Sequence, residues 1–165
     1  MTTDINDAAA VERRLWDEIE RDQVGMLGAV GGAAQHLQPM TAFVESAANR
    51  LWFFSRNDTD LVAEIGPGRQ AMFVFQQRDL RACIGGKPSV RPDRERMDRY
   101  WNAVAAAWYP EGKDDPRLTL LCLACEDAQV WMSEVGPMRF AWEIAKANAT
   151  GQAPDLGGRT SVRFN

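Results

Sequence analysis

The chain has 165 residues, 45% of them hydrophobic and 25% charged, the profile of one globular domain able to bury roughly 70% of its unfolded surface. Nineteen Lys and Arg against 23 Asp and Glu leave a formal charge of -4, which argues against a nucleic-acid partner. The single histidine, His36, excludes His-pair metal sites and leaves one candidate for any Ser-His-Asp triad.

Residues 8–22 place Val11, Leu15 and Ile19 at spacings of four, with Ala8 and Trp16 widening the stripe, and predict a helix with one buried side. From Val24 the period shortens. VGMLGAVG, HLQPMTAFVES and RLWFFS are short apolar or alternating runs separated by GGAAQ and AAN, the pattern of a strand meander with Pro39 on an edge or bulge. Asn57-Asp58-Thr59-Asp60 stands directly before Leu61, Val62 and Ile65, so a capped short helix is expected there, closed by Gly66-Pro67-Gly68. Ala71–Phe75 and Leu80–Val90 read as strands, the second with a bulge or close approach at Gly85-Gly86.

Arg91–Tyr109 reads as a second long helix, with Met97, Trp101, Val104 and Trp108 in register and Pro92 in its first turn. After the loop YPEGKDDPR, Leu118–Ala124 and Ala128–Met132 read as two strands separated by Glu126-Asp127. Pro137–Ala149 is a third helix and Thr160–Phe164 an edge strand. About seven strands without regular βαβ alternation predict a mainly β, antiparallel α+β or barrel architecture. No repeat, linker or low-complexity tract divides 1–165, so one domain is expected.

No stretch approaches the ~20 apolar residues of a membrane span, and Met1–Asp22 is acidic rather than a basic segment leading into an apolar one. With the odd cysteine number, Cys83, Cys122 and Cys125, this predicts a cytoplasmic protein and no membrane partner. Cys122-Leu123-Ala124-Cys125 has C-x-x-C spacing, but on a strand it puts the sulfurs on opposite faces, where they act as small hydrophobes. His36 is expected in a surface loop, and no metal site is expected. Gly85-Gly86-Lys87-Pro88-Ser89 lacks phosphate-loop spacing, and Pro88 removes a donor. Sixteen arginines against three lysines favour bidentate contacts to oxyanions over amine nucleophiles. Trp52-Phe53-Phe54-Ser55-Arg56 running into Asp58-Thr59-Asp60-Leu61 carries two readings: a core strand entering a capped helix, or a strand end and helix start that receive a phosphate.

Gln38-Pro39-Met40-Thr41, Leu51-Trp52-Phe53-Phe54-Ser55, Asp58-Thr59-Asp60-Leu61-Val62 and the run from Trp101 through Trp108-Tyr109-Pro110-Glu111-Gly112-Lys113-Asp114-Asp115-Pro116 together resemble the general stress protein 26 group of the pyridoxamine 5'-phosphate oxidase-like, FMN-binding split-barrel superfamily. The resemblance runs from about Leu15 to Met132. It implies an antiparallel split β-barrel of six to seven strands with flanking helices, and a homodimer with FMN, or alternatively FAD, at the subunit interface. It further implies flavin contacts from Gln38, Pro39, Met40 and Thr41, from Phe53, Phe54, Ser55 and Arg56, and from Thr59, Asp60 and Leu61, with Trp108 shielding the ring. Gln38 and Leu61 depart from the Arg and Lys common among relatives. Losing both removes charge-assisted hydrogen bonds of about 1.5–3 kcal/mol each. No histidine follows His36 to supply the Arg-x-His substrate grip of true pyridoxamine phosphate oxidases, so efficient oxidation of that substrate is not expected. The implied function is a flavin-dependent oxidoreductase of unassigned substrate and unassigned catalytic residues. Its alternatives are a non-catalytic flavin reservoir and a structural dimer with an empty cleft.

Overall fold

Helix α1 (Ala8–Asp22) begins where Asp7 turns extended and its carboxylate accepts the Ala10 N–H at 3.1 Å, a side-chain N-cap. Val11, Leu15, Trp16 and Ile19 form its buried stripe, and the chain leaves through Gln23 in the left-handed region at φ 56°. Eight antiparallel strands follow in a computed structural model that describes residues 3–33, 36–133 and 135–165. They are β1 (Val24–Val30), β2 (Gln38–Thr41), β3 (Phe43–Glu45), β4 (Arg50–Arg56), β5 (Gln70–Gln76), β6 (Leu80–Val90), β7 (Leu118–Met132) and β8 (Gly158–Arg163). Between β4 and β5 lies the short helix α2 (Asp60–Glu64).

The strands join in the order β2-β1-β5-β6-β7-β4-β3, with β8 on β7. The sheet curls until β2 and β4 touch, giving an antiparallel split half-barrel. Pro39 lies on the edge strand β2, where a missing N–H breaks no ladder. The inner face forms one core from Leu27, Leu51, Phe53, Phe73, Phe75, Ile84, Leu121 and Val130, closed by α1 and by Leu61 of α2. Phe164 adds its ring to Trp16 at 4.9 Å, tying the residues after β8 to α1.

On the opposite face the sheet is covered over only half its width. Phe43, Trp52, Leu118, Leu120 and Cys122 form a second cluster beneath Met97 and Tyr109. The segment 91–109 that supplies this cover departs from the single helix expected from its periodicity. It is two helices, α3 (Arg94–Tyr100) and α4 (Ala103–Trp108), each with its own cap. Asp93 accepts the Arg96 N–H at 3.0 Å, and Asn102, extended at φ -145°, accepts the Ala105 N–H at 2.9 Å. A capping side chain inside an apolar period ends one helix and starts another.

A second correction concerns 118–132. The two expected strands are one 15-residue strand, β7, and Glu126-Asp127 is no turn. Gly85 pairs with Asp127 and Gly86 with Cys125, so Glu126 is the extra residue of a bulge. Leu121, Leu123 and Cys125 face the inner core before the bulge, and Ala128, Val130 and Met132 face it afterwards. The inward parity switches from odd to even across one residue. Gly86 permits this: a Cβ there would stand 2.2 Å from the Ala124 carbonyl oxygen and 3.0 Å from the Cys125 Cα. Gly86→Ala is therefore expected to destabilise the fold by about 1–3 kcal/mol, the usual cost of overpacking, read as a lowered urea midpoint. An unchanged midpoint would show that the bulge relaxes freely.

The last helix, α5 (Pro137–Thr150), lies between β7 and β8 and ends at Gly151, whose φ is 69°.

Candidate functional site

The residues singled out at β2, the end of β4 and the start of α2 meet near one corner of the half-barrel. There β2 touches β4, and α2 packs on β1, the partner strand of β2. Their side chains divide by face. Gln38 pairs opposite the buried Leu27, and Met40 packs on the inner core, whereas Pro39 and Thr41 lie on the outer face beside Met26 and Val24. Phe53 is fully buried, its ring 5.4 Å from Phe73, and Leu61 is core. Phe54 sits in the second cluster, 5.5 Å from Phe43 and 5.6 Å from Trp101, and Ser55 is buried opposite Thr119.

At the start of α2, Thr59 is the N-cap. Its hydroxyl accepts the Val62 N–H at 3.3 Å and donates to the Arg56 carbonyl at 3.0 Å. Arg56 is held bidentately by Asp58, at 2.9 and 2.5 Å. That pair lowers the Asp58 carboxyl and raises the Arg56 guanidinium. Asp60 is exposed beside them. A phosphate at this corner would meet two carboxylates, one engaged guanidinium and no other cation from the segments named, so one protomer alone does not fit a dianion here.

Trp108 projects from α4 with 76% of its surface exposed, while Tyr109 turns inward. Beneath α3, Glu45 accepts from Trp52 Nε1 and Arg96 Nη2, both at 2.8 Å, and the Arg96 guanidinium lies 5.3 Å from the Trp52 ring centre. Burial alone would raise the Glu45 carboxyl, but these donors outweigh it and hold it low.

Asp115, at the entry to β7, is gripped more strongly. Arg117 donates from Nε at 3.1 Å, from Nη2 at 2.9 Å and from its backbone N at 2.9 Å, and this side-chain and backbone bonding holds the carboxyl down at about 2. A carboxyl depressed in the folded state contributes stability above its unfolded value of about 3.9 and loses that contribution as pH falls toward the folded value. The wild type should therefore lose stability between about pH 4 and pH 2 more steeply than Asp115→Asn, which should be less stable at neutral pH. Melting temperatures of both proteins from neutral to acid pH test this, and parallel curves would refute it.

The sequence alone did not point to the uncovered half of the outer face. Strand register aligns Gln76, Arg81, Trp131 and Arg159 in one row across β5, β6, β7 and β8, and pairs Thr41 with Val24 at the same end of β2 and β1. Val24, Arg81, Trp131 and Arg159 are exposed, and neither arginine forms an ion pair with another described residue. An indole between two unengaged guanidinium groups is a planar, cationic surface suited to an aromatic anion. Toward β2, β1 and β5 the next rows are apolar, with Pro39, Met26 and Val74, then Leu37 and Met72, whereas on β7 and β8 they continue through Gln129 and Ser161, then Asp127 and Arg163.

Other candidates resolve structurally. His36 is exposed. Cys122 lies in the second cluster and Cys125 in the inner core, so C-x-x-C brings no thiols together, and burial pushes Cys125 up to about 12. Among the described residues no group of His, Cys, Asp and Glu could hold a metal ion. A cleft of about 460 Å³ lies between residues 65–70 and 87–90, where Arg69 donates to the Gly31 carbonyl and Lys87 pairs with Glu126 at 3.0 Å. Among the described residues no helix is long and apolar enough to cross a membrane.

A family model described as pyridoxamine 5'-phosphate oxidase like matches residues 10–155. General stress protein 26 of Bacillus subtilis (strain 168) is 23% identical over 125 residues, 73% of this chain and 87% of its own length. A crystal structure assigned to general stress protein 26, from Jannaschia sp. CCS1, superposes with a TM-score of 0.77 at 33% identity, over 94% of this chain and 99% of that one. The general stress FMN/FAD binding protein of Xanthomonas citri superposes with a TM-score of 0.72 at 37% identity, over 78% of this chain and 92% of that one.

Proposed function

Because the chain belongs to the pyridoxamine 5'-phosphate oxidase-like family, and within it to the general stress protein 26 group, we propose that it binds a flavin between two copies of itself and acts as a flavin-dependent oxidoreductase. The observation that carries this reading is its kinship with the Xanthomonas citri protein named for FMN/FAD binding. FMN is the cofactor proposed, with FAD as the alternative that titration separates.

The distribution of charge supports a site made by two copies. Strands in a sheet lie about 4.8 Å apart, so Arg81, three strands from Thr41, is about 14 Å away and cannot share a phosphate with it in one protomer. Face-to-face pairing of two uncovered outer faces would bring the unengaged Arg81 and Arg159 of one copy toward β2 and α2 of the other. Pro39 and Thr41 would then line the polar chain of the cofactor, with Gln38 and Met40 contributing backbone contacts. Phe54 and Ser55 would back it, and Thr59, Asp60 and Leu61 would supply backbone contacts. Trp108 and Trp131 would exclude water from the ring. A bound flavin itself supplies the electron chemistry, so the chain's tasks are orientation, charge balance and water exclusion.

Visible flavin absorbance in the purified protein, or uptake of FMN or FAD on titration, is the expected result, with a melting temperature that rises in excess cofactor. No absorbance, no uptake and an unchanged melting temperature would refute the reading. Turnover of pyridoxamine 5'-phosphate should be negligible in the same preparation. The engagement of Arg56 by Asp58 and the exposed Asp60 favour one second reading, a reservoir that holds flavin loosely. Bound flavin that neither NADH nor NADPH reduces would distinguish it. The three free cysteines support a cytoplasmic location.

A further inference from the structure

Helix α5 is 14 residues long, yet only Glu143 is buried on it, and it makes no extended contact with any other element. It is fastened mainly to its own return segment, where Asp155 N donates to Glu143 Oε2 at 3.1 Å and Arg139 lies 3.6 Å from Asp155. Glu143, Ile144 and Ala147 turn inward. Met138, Ala141, Trp142, Ala145 and Ala149, spaced at +3, +4, +7 and +11, turn outward as an unbroken apolar stripe, with Met138 88% and Trp142 67% exposed. A helix of this length is marginal in water without a packed face, and its N-cap, Gly136, brings no side-chain bond. The stripe needs a cover.

We propose that α5 is an arm that docks on the uncovered outer sheet face of a second copy of this chain, an inference that rests on the paired state proposed above. Two observations identify that occupant. The arm follows β7, whose last outward residue, Trp131, is 40% exposed at the end of the outer row. That face is uncovered, and it is apolar along β1 and β5 and beside β2, with Val24, Met26, Val30, Leu37 and Met72 exposed. One chain thus carries a projecting apolar ridge beside a broad apolar face, and twofold pairing covers both at once. The area agrees. With large apolar side chains of roughly 150–250 Å² each, the six face residues including Trp131 and the arm's Met138, Phe140 and Trp142 expose on the order of 800–900 Å². Summed over the sheet face and the arm, that is the scale of the ~800 Å² that each partner gives a stable interface.

The test compares the full-length wild type, the M138E/W142E double variant and M26E on the sheet face by light scattering over a dilution series. Amide exchange is followed across 137–150 in parallel. All three positions are exposed, so circular dichroism should show each variant folded. The expected result is a wild-type dimer, a dissociation constant raised at least tenfold by either variant, and slow exchange in α5 that becomes fast on dilution. If M26E weakens the dimer and M138E/W142E does not, the arm is refuted while the paired reading stands. A wild type that stays monomeric at every concentration refutes both.

Discussion

Phe53→Ala is expected to lower the unfolding free energy by about 3–5 kcal/mol, the range for removing a fully buried aromatic ring. At 2–4 °C per kcal/mol for a chain of this size, the melting temperature should fall by roughly 10–15 °C. The reason lies in packing rather than in ligand contact. The ring is inaccessible to solvent, stands 5.4 Å from Phe73, and bridges β4 to the strands on the far side of the half-barrel. Its truncation leaves a cavity bounded by hydrogen-bonded strands that cannot collapse to fill it. The fraction still folded at low temperature should bind flavin nearly as the wild type does. A near-normal melting temperature with a large loss of flavin affinity would place the ring against the cofactor and contradict this assignment.

Arg81→Ala is expected to weaken flavin binding about 10–100-fold while leaving the melting temperature of the cofactor-free protein unchanged. A charge-assisted hydrogen bond contributes about 1.5–3 kcal/mol, and each 1.4 kcal/mol is tenfold in affinity. Arg159→Ala should act in the same direction. Arg81→Lys should recover part of the loss, because it restores the charge but not the bidentate fork. Arg56→Ala should have a smaller effect, since Asp58 already engages that guanidinium. Fluorescence-quenching titrations of FMN at two salt concentrations measure all four variants. A loss confined to Arg56→Ala would move the phosphate to the start of α2 and remove the outer row from the site.

The elements most legible in the sequence were those with local causes. The stripe of α1, a helix capped within Asn57–Asp60, Pro39 on an edge or bulge and the irregularity at Gly85-Gly86 each follow from a few neighbouring residues, and the structure has the cap at Thr59 and Pro39 on an edge. Where two local signals compete, periodicity alone misleads. The +4, +3, +4 spacing from Met97 to Trp108 continues across Asn102, but the Asn102 side chain bonds the backbone and starts a new helix. Glu126-Asp127 looks like a turn, and only the unbroken pairing with β6 shows it to be a bulge. The candidate site was legible in part. The stretch from Trp52 to Leu61 does run from a core strand into a capped helix. The row through Arg81, Trp131 and Arg159 was not readable, because those residues are far apart in sequence and become neighbours only through register. The outward alternation of Gln129 and Trp131 was the one local hint.

The bulge at Glu126 makes β7 a strand read in two frames. Its first half serves two hydrophobic clusters at once, and its second half turns Trp131 to the outside only because one residue has been counted out of the ladder. Taking Glu126 into the ladder as an ordinary strand residue would swap every side chain downstream, sending Gln129 and Trp131 into the core and Val130 and Met132 out to solvent, whereas deleting it would remove the bulge and keep Asp127, Gln129 and Trp131 outward. The indole's place on the surface is therefore encoded five positions away from it, in a residue that need touch no ligand. A one-residue insertion or deletion elsewhere in this strand would act on function as a phase error, whereas substitution or loss of Glu126 itself would leave the phase intact.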